Sequence, residues 1–241
     1  MRSSFNATDG TGANSRMRSG PRLSIMGGVR LNLSLLFIAL SGVAVHAADT
    51  IQAFGLKWSV PTAADWKVER AGGGETLRLL VPRPATEPRR PTQFAVAQTP
   101  DYIRVTVEAD MKKEPAAARD RHTSLMIAYA WRDKDHFNYA HLSVDAARQQ
   151  PVHNGIFHVF GGDRVRISSN EGPATLTGEE WHKVRLVYDG KTGKVEVWVD
   201  GKTSPSMQAT ETKLGAGKVG LGSFFDLGEF RNVRIQGDPA R

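Results

Sequence analysis

Four of the seven histidines in this 241-residue chain lie between residues 135 and 159: His136, His141, His153 and His158. Imidazoles gathered this closely can hold a metal, pass a proton, or simply hydrogen-bond along a hairpin. Alternation over 136–145 sets Ala140, Leu142 and Val144 on one face of a strand, with Phe137, Tyr139, His141 and Ser143 on the other. A turn centred on Ala147 pairs His141 with His153 and His136 with His158. Directly opposed residues share a face, with Cβ atoms about 5 Å apart. His136 and His141 are separated by an odd number of residues, so the two pairs point to opposite sides. Only His141 and His153 join Tyr139 on the face expected to be open, and they are the candidate acid and base. Two histidines are an incomplete zinc site, which wants three or four protein ligands, so Asp133 or Asp135 would have to join them. No cofactor is evident, and a divalent metal stays open as an alternative.

The elements that must position these residues read almost entirely as strands. "YIRVTVEAD" (102–110) alternates Ile103, Val105 and Val107 with Arg104, Thr106 and Glu108. "WHKVRLVYD" (181–189) and "KVEVWVDG" (194–201) do the same, and the segment 189–193 between them is a turn. About a dozen such candidates run from residue 51 to 236, evenly punctuated by glycine turns. That is the spacing of an all-β antiparallel two-sheet sandwich. Only 115–122 could form a helical turn, and the proline-rich 83–92 reads as an extended surface excursion. Alternation places Arg104, Tyr139, Trp131 and Trp198 on faces away from the core, so these are the candidate substrate-binding side chains.

The ends and the charge bound the partners. Four arginines between 16 and 30 precede the apolar run "LNLSLLFIALSGVAV", which ends at small residues before Ala48. This reads residues 1–47 as a lead plus a secretory signal peptide, leaving residues 48–241 as one domain without a stable membrane anchor after cleavage. The expected location is periplasmic or secreted. The formal charge is +7, but residues 1–47 carry five Arg and one Asp, so the remainder holds 27 basic and 24 acidic residues, a net of +3. With those charges spread along the chain, no nucleic-acid partner is expected. There is no cysteine, so an exported domain must be held by its core.

Four motifs in the C-terminal half carry a family resemblance: Trp181-His182 opening a strand, Asp200-Gly201 ending one, Gly217 to Leu221, and Phe230 to Ile235. Together they resemble the laminin G-like, concanavalin A-type jelly roll, and within it the 3-keto-disaccharide hydrolase domain, a relative of glycoside hydrolase family 16. The resemblance implies carbohydrate as the partner, bound on the concave outer face of one sheet. It further implies cleavage of a glycoside oxidised at its third sugar carbon, by hydrolysis or by elimination and hydration. His141 and His153 would then serve as base and acid, with Arg104 or a metal as the electrophile. The paired carboxylates of family 16 are not matched. Glu108, Asp110 and Glu114 are spaced too widely, near 20 Å end to end on a straight strand against the ~5.5 Å of a retaining pair. The competing expectation is a non-catalytic laminin G-like module that binds a glycan or a protein.

Overall fold

The computed structural model describes residues 48–115, 123–169 and 171–241. The signal-peptide segment and nearly all of the helical turn expected at 115–122 lie outside them. Fifteen strands are present among the described residues. In chain order they are β1 (Asp49–Ala53), β2 (Leu56–Val60), β3 (Trp66–Ala71), β4 (Gly74–Leu79) and β5 (Gln93–Ala97). Then follow β6 (Tyr102–Lys113), β7 (Ser124–Asp133), β8 (His136–Ser143), β9 (Gly155–Phe160) and β10 (Val165–Arg166). The last five are β11 (His182–Asp189), β12 (Lys194–Val199), β13 (Met207–Thr210), β14 (Lys218–Ser223) and β15 (Gly228–Pro239).

They form two antiparallel sheets, one of eight strands in the order β1-β2-β5-β14-β7-β8-β9-β10 and one of seven, β13-β12-β11-β6-β15-β4-β3. This is the expected jelly-roll sandwich. Alternation explains the packing between the sheets. Val105, Val107 and Ala109 of β6 meet the same core as Val184 and Leu186 of β11, Val195 and Val197 of β12, and Ile127 and Leu142 from the other sheet. Each fully buried side chain of this size contributes roughly 1.5–3 kcal/mol.

Three of the resemblance motifs turn out to be structural devices. His182 stands between Asp200, 2.8 Å from Nδ1, and the Thr177 carbonyl, 2.7 Å from Nε2. The other oxygen of Asp200 accepts the Lys183 N–H. The Trp-His and Asp-Gly signatures therefore clasp the ends of β11 and β12. Asn232 occupies the left-handed region at φ 52° within a bulge of β15, and its amide donates to Asp110. Asparagine tolerates that conformation better than most residues, which accounts for its place in the motif.

A second bulge decides where Trp131 goes. Tyr129 and Ala130 of β7 both face the inter-sheet core, and Ala130 has φ 48°. The extra residue turns Trp131 outward, against Phe94 and Phe137. Gly217 lets the bulge approach, since a Cβ there would lie 2.4 Å from the Ala130 carbonyl carbon. Gly217→Ala should cost about 1–3 kcal/mol through overpacking. Gly162→Ala, where the added carbon meets open space, should stay within about 0.5 kcal/mol. Urea denaturation of the two variants checks the difference.

Candidate functional site

The histidine region departs from the expected register. His141 lies opposite Gly155 and His136 opposite Phe160, two residues away from the anticipated pairing. The connection after β8 is not a tight turn around Ala147. It is a folded loop with Gln149, Gln150 and His153 N–H groups donating back to Ala146 and Gln150 carbonyls. Asn154, at φ 40°, closes it by exchanging hydrogen bonds with the Ser143 backbone. His153 therefore sits on the loop. Its ring still meets His141 edge-on, with centroids 5.1 Å apart, and its Nδ1 lies 3.0 Å from Ser143 Oγ and 3.2 Å from Asp145. His136 and His158 are not a pair: His136 engages Asp133, while His158 turns inward to Asn138 and on toward Glu211.

The face expected to be open at His141 is covered. Tyr139 is 0% exposed and His141 2%. Phe94, Phe137, Tyr139, Phe157 and Phe224 form a second apolar layer on the outer side of the eight-stranded sheet. Gly222 leaves the room it needs, since a Cβ there would meet Phe94 at 2.7 Å. The proline-rich 80–92 segment is tied down over this side. Arg83 makes two bonds to the buried Asp65, Gln93 bonds both Arg83 N–H and the Val81 carbonyl, and the Arg89 N–H donates to Asp163. Arg164 caps the layer over Phe157 and Phe224 and reaches the Tyr139 hydroxyl.

The remaining cavity at the histidines is about 40 Å³, bounded by His141, His153, Arg164 and Asp226. That is room for about one water. Neither His141 ring nitrogen makes a hydrogen bond of normal geometry among the described residues, although the Val152 backbone is near enough to favour the charged form weakly. Burial drives its pKa well below the ordinary imidazole value, and Arg164 and His153 push the same way. Burial likewise raises the Tyr139 phenol. Among the described residues no group of three or more His, Asp or Glu is placed to hold a metal ion.

The other candidates do not converge on the histidines. Arg104 and Trp198 stand on the outer face of the seven-stranded sheet, across the whole sandwich from His141, so Arg104 cannot act as the electrophile beside the histidine pair. It faces Asp189 at 3.7 Å and Asp238 at 3.4 Å. Trp131 shares the outer face of the eight-stranded sheet with His141 but lines a separate cleft. The four substrate-binding candidates thus occupy four places rather than one groove.

The seven-stranded sheet carries an open concavity. A trough of about 720 Å³ lies over β12, β11, β6 and β15. Its axis is a single register line: Trp198 opposite Arg185, Arg185 opposite Glu108, and Glu108 opposite Arg234. Three inter-strand steps of ~4.8 Å make this row about 14 Å long. A second row, Lys183 opposite Asp110 opposite Arg231, runs beside it. Arg185 lies 5.4 Å from the Trp198 ring centre and 3.8 Å from Glu108. The sequence picked out Trp198, and Glu108 and Asp110 only as failed catalytic carboxylates. It missed Lys183 and Arg185, whose outward positions were readable from alternation, and Arg234, whose side is set by the bulge in β15.

No family model matches the chain, and no curated protein matches it. Solved structures share its fold. The carbohydrate-binding module CBM66 from Bacillus subtilis is 12% identical with a TM-score of 0.52, over 75% of this chain and 95% of that one. The exoplasmic/lumenal domain of VIP36, solved in a Ca2+/Man3GlcNAc-bound form, is 11% identical with a TM-score of 0.46, over 76% and 85%. The GH43 protein BlXynB from Bacillus licheniformis is 11% identical with a TM-score of 0.48, over 79% of this chain and 38% of that one. At 12% identity the likeness to the Bacillus subtilis module shows a shared fold alone.

The buried imidazole has a measurable consequence. An unfolded His141 takes up a proton near pH 6.5 while the folded one resists it, so stability should fall as pH drops below about 6.5. One such proton gives up to about 1.4 kcal/mol per pH unit. His158, also lowered mainly by burial, adds in the same direction. Urea midpoints between pH 7.5 and 5.0 should fall less steeply in His141→Leu, and an unchanged slope would place the titration elsewhere.

Proposed function

We propose that this protein is a non-catalytic carbohydrate-binding module whose site is the trough on the seven-stranded sheet. The observation carrying this reading is the register line Trp198–Arg185–Glu108–Arg234, four outward side chains fixed on four adjacent strands. A sugar presents apolar C–H faces and hydroxyls that both donate and accept. Trp198 offers an aromatic surface to the first. Glu108 and Asp110 accept from hydroxyls, while Lys183, Arg185 and Arg234 donate to them. Held on strands, the row needs little ordering when ligand arrives, and its length suits an oligosaccharide better than a single ring. The fold shared with the Bacillus subtilis carbohydrate-binding module supports the reading.

Binding is favoured over cleavage on steric grounds. The 3-keto-glycoside chemistry implied by the sequence resemblance needs a base and an acid in reach of the sugar. His141 lies within the aromatic layer, 2% exposed, beside a cavity with room for about one water. No disaccharide fits there. Export to a periplasmic or external space agrees with a glycan ligand and follows from the residue 1–47 reading.

Titration calorimetry of the purified protein against plain and 3-keto disaccharides, oligosaccharides and soluble polysaccharides tests the proposal. A glycan should bind without being cleaved, and Trp198→Ala should weaken it about tenfold or more, the loss expected for a stacking aromatic. Release of monosaccharide from a 3-keto substrate, or undiminished binding by Trp198→Ala, would overturn it.

A further inference from the structure

A second cleft, of about 530 Å³, opens on the other side of the sandwich, over β2, β5, β14 and the bulged end of β7. Its floor is apolar: Trp131, Phe94, Val96 and Pro91. One face of the Trp131 indole is stacked on Phe137 at 4.4 Å, which holds the ring rigidly while leaving it partly exposed. The rim is cationic: Arg90, Arg132, Lys134 and Lys218. No carboxylate is among the residues lining it.

Neighbouring acids offset part of that charge. Asp135 pairs with both Arg90 and Lys134, Lys218 is 2.6 Å from Asp101, and Arg132 donates to the Leu214 carbonyl. Asp133, engaged by His136, lies close enough to Asp135 to interact with it, so four cations against three carboxylates leave a surplus of one. Arg90 Nη1 is moreover buried without a hydrogen-bond acceptor among the described residues. The same guanidinium is paired through Nη2 with Asp135. The contrast with the trough is chemical. There, cations and carboxylates alternate around one indole, as a neutral polyol requires; here, an apolar floor lies under a rim of net positive charge.

We propose that this cleft is a binding site for an amphiphilic organic anion, a carboxylate or sulfonate carried on an aromatic or aliphatic body. The body lies on Trp131 and Phe94, and the acid group meets Arg90 and the lysine rim. Charge complementarity, rather than hydrogen-bond patterning, selects the ligand, so affinity falls as ionic strength rises. The site is independent of the Trp198 trough and stands whether or not that trough holds a sugar.

The probe is naphthalene-2-sulfonate, compared with the neutral naphthalene-2-methanol, titrated calorimetrically into the full chain at low and high salt. The sulfonate should bind at one site at least tenfold more tightly than the alcohol, and more weakly in salt. The double variant Lys134→Gln/Lys218→Gln should lose most of that preference, while Lys67→Gln/Lys191→Gln, removing the same charge elsewhere, should keep it. Trp131→Leu should weaken both probes. Should Trp131→Leu fold poorly, the exposed rim lysines still decide the matter. Equal binding of the two probes, insensitivity to the rim substitutions, or no saturable binding at millimolar sulfonate would each overturn the proposal.

Discussion

Burial of one side of nearly every strand between two sheets is the constraint on which the molecule depends. With no disulfide available, the core of Val, Leu, Ile and aromatic side chains must offset the chain entropy alone. Period-two alternation is the form that requirement takes in sequence. It also fixes what is left over: whatever does not face the core on a regular strand is displayed on one of two outer surfaces. Function is therefore a question of which outer surface stays open, and which residues reach it together.

The two surfaces solve opposite problems. On the eight-stranded sheet the outward residues are themselves apolar, Phe94, Phe137, Tyr139 and Phe157 among them, and exposed they would form an aggregation-prone patch. The chain covers them with its proline-rich segment, anchored by the Asp65–Arg83 pair, and with arginines laid over the rings. His141 is caught beneath that cover. On the seven-stranded sheet the outward residues are charged, and charged side chains opposite one another across strands stabilise the sheet modestly while remaining solvated. Nothing has to cover them, so the trough stays available.

The strands were legible because alternation is local. "YIRVTVEAD", "WHKVRLVYD" and "KVEVWVDG" became β6, β11 and β12 with boundaries shifted by a few residues at most, and the sandwich followed from their number and spacing. Register was not legible, because it is set by the connections. The histidine pairing assumed a short turn, and the folded 144–154 loop moved it by two residues. Bulges were equally hidden: Trp131 stands on the outer face assigned to it, but nothing in "AYAWRD" announces that a left-handed Ala130 is what puts it there. Burial of the second aromatic layer was invisible too, since it depends on the 80–92 segment crossing the sheet, a contact between residues more than seventy apart such as Arg89 and Asp163.

The same distinction explains why histidine clustering misled while a plain charged row did not announce itself. Four histidines in twenty-five residues look like chemistry because imidazole is rare and versatile. Each here is accounted for by packing or local bonding: His136 with Asp133, His158 with Asn138, His153 with Ser143 and Asp145, His141 within the aromatic layer. Rarity in sequence says nothing about accessibility, and chemistry on a sugar requires access before it requires basicity. Trp198, Arg185, Glu108 and Arg234 come from separate segments, spread over more than a hundred positions. They become a candidate site only because antiparallel pairing sets β12, β11, β6 and β15 side by side with those four in one line. The bulge at Asn232 is what brings the last of them into place. Were β15 to run through Asn232 as a regular strand with no bulge, Arg234 would turn to the core, and the row would end at Glu108.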